Sequence, residues 1–288
     1  MPGSPLRLVV IADLKIARVA AAWPEFERLL RDQPGLQVLA TDHTGTFSAF
    51  ADCAADLVLV LGGDGAILRA CRQMGTHQLP VVGVNHGRLG FLADLSQDEF
   101  REHLARLVRR DYQVVSHLMF RCVHHPANGS ASQEWLGLNE VVVSAGGSLR
   151  MIDVELAIGG ETVTTYSADG VLISTPVGST AHNLSAGGPI LRQDLPAFVI
   201  TPICPHTLTN RPLVDSADVT YRLTVPRAPE GTMLVVDGQI RVPLAPGDHV
   251  EVSRAPVAFQ MAKVPGSSYY TTLHRKLGWG GRPNYRTD

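Results

Sequence analysis

The chain has 288 residues, of which 45% are hydrophobic and 18% are charged, a balance typical of a folded globular protein. A formal net charge of -2 gives no general attraction to nucleic acid or to an anionic membrane, so we expect neither as a partner. The four cysteines form no CxxC pair and the chain has no HExxH motif, so the sequence predicts no dedicated metal site.

The first twelve residues lead directly into an apolar run, without the basic segment, long apolar stretch and cleavage site of a signal peptide. No apolar run approaches the length needed to span a membrane. We therefore expect a cytoplasmic protein.

The first part of the chain alternates between apolar runs of buried-strand length and helical patterns. The runs are 6–12, 56–61 and 81–85, and the helical patterns are 15–32, 66–75 and 97–110. Such βαβ alternation predicts a Rossmann-like parallel sheet with helices on both faces, whose ligands bind at the carboxyl ends of the strands.

From about residue 115 the pattern changes to short apolar or alternating segments separated by Gly, Pro and Asp. These segments are 138–144, 152–158, 170–175, 219–225, 233–236 and 248–253. They predict a mostly antiparallel β-sandwich. We therefore expect an α/β domain at 1–115, joined by a returning C-terminal segment at 265–288, and a β-rich domain at 116–264.

The second apolar run ends in the sequence Gly62, Gly63, Asp64 and Gly65, after which the pattern becomes helical. Glycines permit positive φ and let a ligand approach the backbone, while the amides at a helix start attract anions. This predicts a phosphate loop at 62–65, in which Asp64 is better placed to act on a hydroxyl group or a metal than on the phosphate. A purely structural turn, with Asp64 as the helix N-cap, is the alternative.

Other nucleotide-binding motifs are excluded by residue type or spacing. Lysine occurs only at positions 15, 263 and 276, so no glycine-rich loop carries the lysine of a Walker-type P-loop. Only two of the three Rossmann glycines are present after the run, and no Gly-x-Ser-x-Gly elbow surrounds Ser179 or Ser185.

Four further segments place small and polar residues in apolar surroundings: 85–92, 138–141, 169–190 and 237–239. The third is rich in Gly, Ser and Thr, so its hydroxyls and accessible backbone suit a polyhydroxylated or phosphorylated ligand. An irregular loop is the alternative for this segment.

Taken in order, these segments resemble the NAD kinase family of the bacterial type, whose fold is that of the GGDG kinases. The matching motifs are GGDG at 62–65, NxGxLGFL at 85–92, Asn139-Glu140, the block from Asp169 to Ile190, Thr207-Leu208, Arg211-Pro212-Leu213, and Lys276-Leu277-Gly278-Trp279. The resemblance implies an ATP-dependent enzyme that transfers the terminal phosphoryl group of ATP to the adenosine ribose 2'-hydroxyl of NAD, giving NADP. It also implies Mg²⁺ bound with ATP, and a homodimer or homotetramer.

The resemblance makes Asp64 the catalytic carboxylate and Asn139 and Glu140 the pair that holds the adenosine ribose and base. The full set that it implies for NAD binding is Asp64, Gly65, Asn139, Glu140, Arg150, Ser167, Asp169, Val177, Thr180, Ala181, His182, Asn183, Leu184, Ser185 and Gln239.

Three positions depart from the family pattern. His182 replaces a usual tyrosine, Ser167 stands where a cation is frequent, and Val177 replaces a threonine. Two other functions remain as alternatives: a lipid-type kinase that shares the GGDG fold, and a catalytically silent NAD(P)-binding regulator.

Overall fold

A computed structural model describes residues 4–47, 50, 52–87, 90–93, 95–146, 151–207, 209–265 and 269–278. The chain divides into two compact units. The first comprises Met1–Met74, Leu79–Val115 and Gln260–Asp288, and the second comprises Gly75–Gln78 and Ser116–Phe259.

The first unit is built on a parallel sheet, as the sequence predicts. Its elements up to residue 108 are β1 (Leu6–Ala12), α1 (Ala17–Asp32), β2 (Leu36–Asp42), β3 (Leu57–Leu61), α2 (Asp64–Met74), β4 (Val81–Val84) and α3 (Gln97–Val108). The strands lie in the order β2-β1-β3-β4, and every pairing between them is parallel.

The sequence analysis missed β2. This strand lies at the edge of the sheet, and its Val38 and Leu39 are more than a third exposed. Because neither face of the strand is fully buried, it lacks the apolar alternation that marks a half-buried strand.

The chain order reverses between β1 and β3, and a crevice at the carboxyl ends of the strands forms at such a point. Residues 62–65 follow β3 at this edge of the sheet. Helices cover both faces: Phe26 of α1 and Phe100 of α3 pack with Leu59, whereas Gly83 of β4 lies against Ile67 of α2.

The second unit contains two antiparallel sheets. Its strands and short helix, in chain order, are β5 (Gln113–His125), β6 (Gln133–Gly137), β7 (Glu140–Ser144), β8 (Ile152–Ile158), β9 (Glu161–Ala168), β10 (Gly170–Ser174), α4 (His182–Ser185), β11 (Ala197–Ile203), β12 (Leu213–Ser216), β13 (Tyr221–Thr224), β14 (Met233–Val236), β15 (Ile240–Pro243) and β16 (His249–Lys263).

One sheet has the order β12-β11-β10-β7-β14-β15, and the other contains β16, β13, β8 and β9, with β5 pairing both β16 and β6. Side chains from both sheets, including Val141, Val154 and Leu223, form one buried core. The predicted antiparallel sandwich is therefore confirmed.

The strand β16 is much longer than the predicted segment 248–253, because it continues past Pro256 to Lys263. Proline usually marks the end of an internal strand, so the sequence favours an earlier end. The last part of β16 belongs to the first unit, where Met261 pairs with Val81 in parallel.

The chain then forms α5 (Tyr269–Leu277) within the predicted returning segment, and this helix buries Leu273. Residues 279–288 of the predicted returning segment lie outside the described residues. No helix in the described ranges is both long and apolar enough to cross a membrane.

Candidate active site

The carboxylate of Asp64 accepts three backbone hydrogen bonds from one loop of the first unit. Its Oδ2 accepts the N–H of Phe91 at 2.8 Å, and its Oδ1 accepts those of Leu92 at 3.0 Å and Ala93 at 2.9 Å. An ionised carboxylate can accept about four hydrogen bonds. These three contacts therefore leave room on Oδ2 for one donor from a ligand.

The loop at 90–93 is shaped to receive this carboxylate. A Cβ at Gly90 would overlap Oδ1 of Asp64, so the position requires glycine because of close approach. Lys276 of α5 also contacts this loop, with its Nζ 5.3 Å from the centre of the Phe91 ring, a cation–π distance. The motifs 62–65, 85–92 and 276–279 thus meet at Asp64 through the residues described here.

The residues around Asp64 differ in their roles. The N–H of Gly62 donates to the carbonyl of Val84 at 2.9 Å and so belongs to the sheet, whereas Gly63 is exposed and has open space around it. None of the three loop glycines is in the left-handed region, so the loop does not use the positive φ that glycine permits. The carbonyl of Gly63 accepts the N–H of Ala66, so Asp64 lies inside α2 rather than at its N-cap.

In the second unit, a buried carboxylate organises Asn139 and Glu140. Oδ1 of Asp237 accepts the N–H of Asn139 at 2.7 Å and that of Glu140 at 3.3 Å, and Oδ2 accepts the N–H of Leu138 at 3.0 Å. Asp237 has a φ of 49° and Gly238 a φ of 66°, the conformation of a tight hairpin turn between β14 and β15. The turn thus aims a carboxylate at three successive amides.

Glu140 is buried, with only 4% of its surface exposed. Burial, together with the negative charge of Asp237, raises its pKa to about 8, although the backbone N–H of His182 partly opposes this by donating to the carboxylate. Its Oε2 is buried and has no hydrogen-bond partner in the described part of the chain. A ligand hydroxyl is a suitable partner for this atom.

The block from 174 to 191 is held by its own polar side chains. Asn183 is fully buried, donates to the carbonyls of Ser179 at 3.2 Å and Pro189 at 2.9 Å, and accepts the hydroxyl of Thr201 at 2.7 Å. The hydroxyl of Thr180 donates to the carbonyl three residues earlier. Buried side-chain hydrogen bonds therefore fix the conformation of this segment.

Known proteins similar to this chain were found by sequence. An NAD kinase from Rhodopirellula baltica is 46% identical over 97% of this chain and 89% of its own length, and one from Gemmatimonas aurantiaca is 40% identical over 80% of each. The model of the ATP-NAD kinase N-terminal domain matches residues 18–112, and that of the ATP-NAD kinase C-terminal domain matches residues 138–264. The chain belongs to the ATP-NAD kinase family.

Solved structures agree with this assignment. An NAD kinase from Archaeoglobus fulgidus in complex with ATP superposes with a TM-score of 0.72 and 26% identity over 94% of this chain and 97% of that one. A yeast NADH kinase complexed with NADH shares the fold, with a TM-score of 0.81 and 24% identity over 98% of this chain and 90% of that one. The predicted family, fold class and NAD kinase function are confirmed.

Most residues that the family resemblance assigns to NAD lie at one end of the six-stranded sheet. Glu140 pairs with Ser174 at the carboxyl end of β10, and Gln239 follows the turn after β14 at the same end. His182, Ser185 and Gln239 are exposed, Ala181 and Leu184 are half-buried, and Val177 is buried, so the lost threonine hydroxyl lies in a packed position.

Asp169 and Ser167 lie at the other end. Asp169 precedes Gly170, which pairs with Ser144, so Asp169 is five residues along β10 from the Ser174 end, roughly 17 Å away. Asp169 is exposed, and the Ser167 hydroxyl donates to Asp153 at 2.6 Å. One ribose cannot contact both groups. Arg150 lies outside the described residues.

Sequence reasoning missed the role of Asp237 and of Thr175. The Thr175 hydroxyl donates to the carbonyl of Leu138 and accepts the N–H of Gly178, and thus holds the backbone before Asn139. The Asp-Gly pair at 237–238 was a visible turn signal, but the target of its carboxylate lies about 100 residues earlier in the chain.

Replacing Gly90 with alanine should destabilise the protein by about 1–3 kcal/mol, because the new methyl group overlaps Asp64 Oδ1. The backbone at Gly90 is not in the left-handed region, so the cost is one of space. A double-mutant cycle with Asp64→Ala, followed by urea unfolding, tests this cause. The variant that carries both Gly90→Ala and Asp64→Ala should lose less free energy of unfolding than the sum of the two single losses, by more than about 0.5 kcal/mol. Strict additivity would contradict this; Gly63→Ala, with open space, is the control.

Replacing Glu140 with glutamine should stabilise the protein increasingly as the pH rises. In the folded protein the pKa of Glu140 is raised to about 8. The protonated side chain therefore makes its full contribution to the free energy of unfolding below the ordinary pKa of glutamate, and this contribution is lost as the pH rises toward 8. The gain of Glu140→Gln over wild type should grow by about 2–5 kcal/mol between pH 4.5 and 8.5 in urea unfolding. The exposed Glu155→Gln should show no such trend, and a constant difference for Glu140→Gln would refute the prediction.

Proposed function

We propose that Asp64 is the catalytic residue of an ATP-dependent NAD kinase and orients the ribose 2'-hydroxyl of NAD while accepting its proton. The support is that three backbone amides fix both carboxylate oxygens and leave one accepting position on Oδ2. A base held in this way needs little reorganisation when the hydroxyl attacks the phosphorus atom.

We propose that the phosphates of ATP bind at the exposed turn around Gly63 and the start of α2. The first amides of a helix attract anions, and a side-chain-free backbone permits close approach. Asp64 adds a negative charge at the same place, so the phosphates need a neutralising cation there. Mg²⁺ that arrives bound to ATP as part of the substrate supplies this charge.

We propose that Asn139 and Glu140 bind the adenosine ribose, with the exposed residues of α4 beside the base. The unpartnered, buried Oε2 of Glu140 favours a ligand that donates hydrogen bonds, as the vicinal hydroxyls of a ribose do. Above its pKa of about 8, ionised Glu140 would repel a 2'-phosphate and so favour release of NADP over NAD. His182 offers a smaller ring than tyrosine for stacking on the substrate.

The first test compares NADP formation from Mg-ATP and NAD by wild type and by Asp64→Asn. Loss of the charged acceptor should lower kcat by about 10²–10⁴, whereas the exposed Asp32→Asn should leave it unchanged. Because Asp64 also binds the loop at 90–93, unfolding and NAD binding are measured for each variant. Turnover within tenfold of wild type in Asp64→Asn would overturn the catalytic role; NAD binding without turnover in the wild type would favour a silent regulator.

We further propose a homo-oligomer in which each NAD site takes Asp169 from a second copy of the chain. The support is the separation of Asp169 from the Glu140 end of β10, roughly 17 Å, which is more than one ribose spans. Both residues carry side chains suited to a dinucleotide, and a second copy brings them to one ligand.

Coexpression of two inactive variants tests this arrangement. A mixed oligomer of Asp64→Asn and Asp169→Asn chains contains one site in which both residues are intact, so its activity should exceed that of either variant alone. If Asp169 serves its own chain, the mixture should show only the average of the two. Sedimentation of the mixture separately establishes whether the chains associate, so a failed complementation leaves the role of Asp64 unaffected.

A further inference from the structure

Two histidines and a glutamate meet where β5 ends and β16 begins, outside every residue assigned above to ATP or NAD. His125 is the last residue of β5, and His249 and Glu251 lie two residues apart on the neighbouring strand β16, so they share one face. One donor atom from each residue lies within 4.8 Å of the others. The two imidazole rings are stacked, with their centres 4.6 Å apart.

Neighbouring side chains orient two of the three donors. Nδ1 of His125 is 2.9 Å from the hydroxyl of Ser132, so its Nε2 is the atom that faces Glu251, at 3.6 Å from Oε2. This Nε2 is buried and has no hydrogen-bond partner in the described part of the chain. Arg222 donates to Oε1 of Glu251 at 2.7 Å and 3.1 Å, and leaves Oε2 directed toward His125. Such outer contacts are typical of metal ligands.

The two strand ends are also fixed relative to each other. Nε2 of His124 is 2.8 Å from Oδ2 of Asp248, and both side chains are buried. Asp248 also accepts the backbone N–H groups of Ala127 at 2.8 Å and Ala245 at 3.0 Å. His124 and Asp248 directly precede His125 and His249 in the chain. The contact between His124 and Asp248 therefore holds the backbones of both candidate ligands in place.

We propose that His125, His249 and Glu251 bind a divalent transition metal of the Zn²⁺ class. Two imidazoles and one carboxylate suit Zn²⁺, whereas Mg²⁺ prefers oxygen ligands alone. Three protein ligands leave a further coordination position for water. Zn–ligand bonds are about 2.0–2.2 Å long, so binding draws the three donors closer and links the end of β5 to the start of β16.

Calorimetric titration of the full, chelator-treated chain with ZnCl₂ tests the proposal. We expect one Zn²⁺ per chain, and at least tenfold weaker binding in each of His125→Gln, His249→Asn and Glu251→Gln. The exposed His77→Asn is the matched control and should bind as wild type does. Titration with CoCl₂ should give the intense visible absorption of a low-coordinate Co²⁺ site in the wild type only.

Circular dichroism of the metal-free variants checks that they fold. The three substitutions lie on two strands, so if one variant fails to fold, the other two still test zinc binding. Zinc affinity that is unchanged in the folded variants, or no binding by wild type at about 100 μM Zn²⁺, would overturn the proposal. Competition by equal concentrations of MgCl₂ would overturn the assigned metal class. NADP formation is not used as a readout, so the result is independent of the role of Asp64.

Discussion

One interaction organises both units: a carboxylate that accepts the N–H groups of three consecutive residues. Asp64 accepts the N–H groups of residues 91–93 in the first unit, and Asp237 accepts those of residues 138–140 in the second. Each set of three charge-assisted hydrogen bonds fixes the backbone where a loop meets regular structure, and each bond exceeds a neutral hydrogen bond in strength. The glycines near these carboxylates follow from the same requirement, since Gly90 must admit Asp64 and Gly238 completes the turn that carries Asp237.

The two carboxylates differ in their electrostatic effect on their surroundings. Asp64 is half-buried and keeps room for a ligand donor, so its charge remains available at the surface. Asp237 is buried beside Glu140, and its charge contributes to the raised pKa of that residue. Burial and the charge of Asp237 together therefore raise the pKa of Glu140 to about 8, which favours its protonated form at neutral pH. In the binding mode proposed above, the hydroxyl donors of a ribose would favour the ionised form, so ribose binding and proton release would be linked.

Local patterns in the sequence predicted the structural elements that depend on residues close together in the chain. The strands β1, β3 and β4, the helices α1 to α3 and the turn before Asp64 follow from periodicity and glycine placement, and the family resemblance supplied the candidate site residues. What the sequence did not reveal depends on contacts between distant residues. The target of Asp237, the edge strand β2 and the meeting of His125 with His249, 124 positions later, arise only when strands pair. The roles assigned to all the site residues, Asp64, Glu140, Arg150 and Asp169 among them, stay predictions.

The strand β16 ends in the unit where the chain began, and this has a consequence for synthesis on the ribosome. All of the second unit leaves the ribosome before the residues around Met261 that pair with Val81. Domains generally fold as units during translation. The sandwich can thus form while the parallel sheet still lacks its last strand and the lysine beside Phe91. A nascent chain halted near residue 259 would therefore carry Asp64 and its loop without Lys276, the residue whose Nζ lies over the Phe91 ring in the full chain.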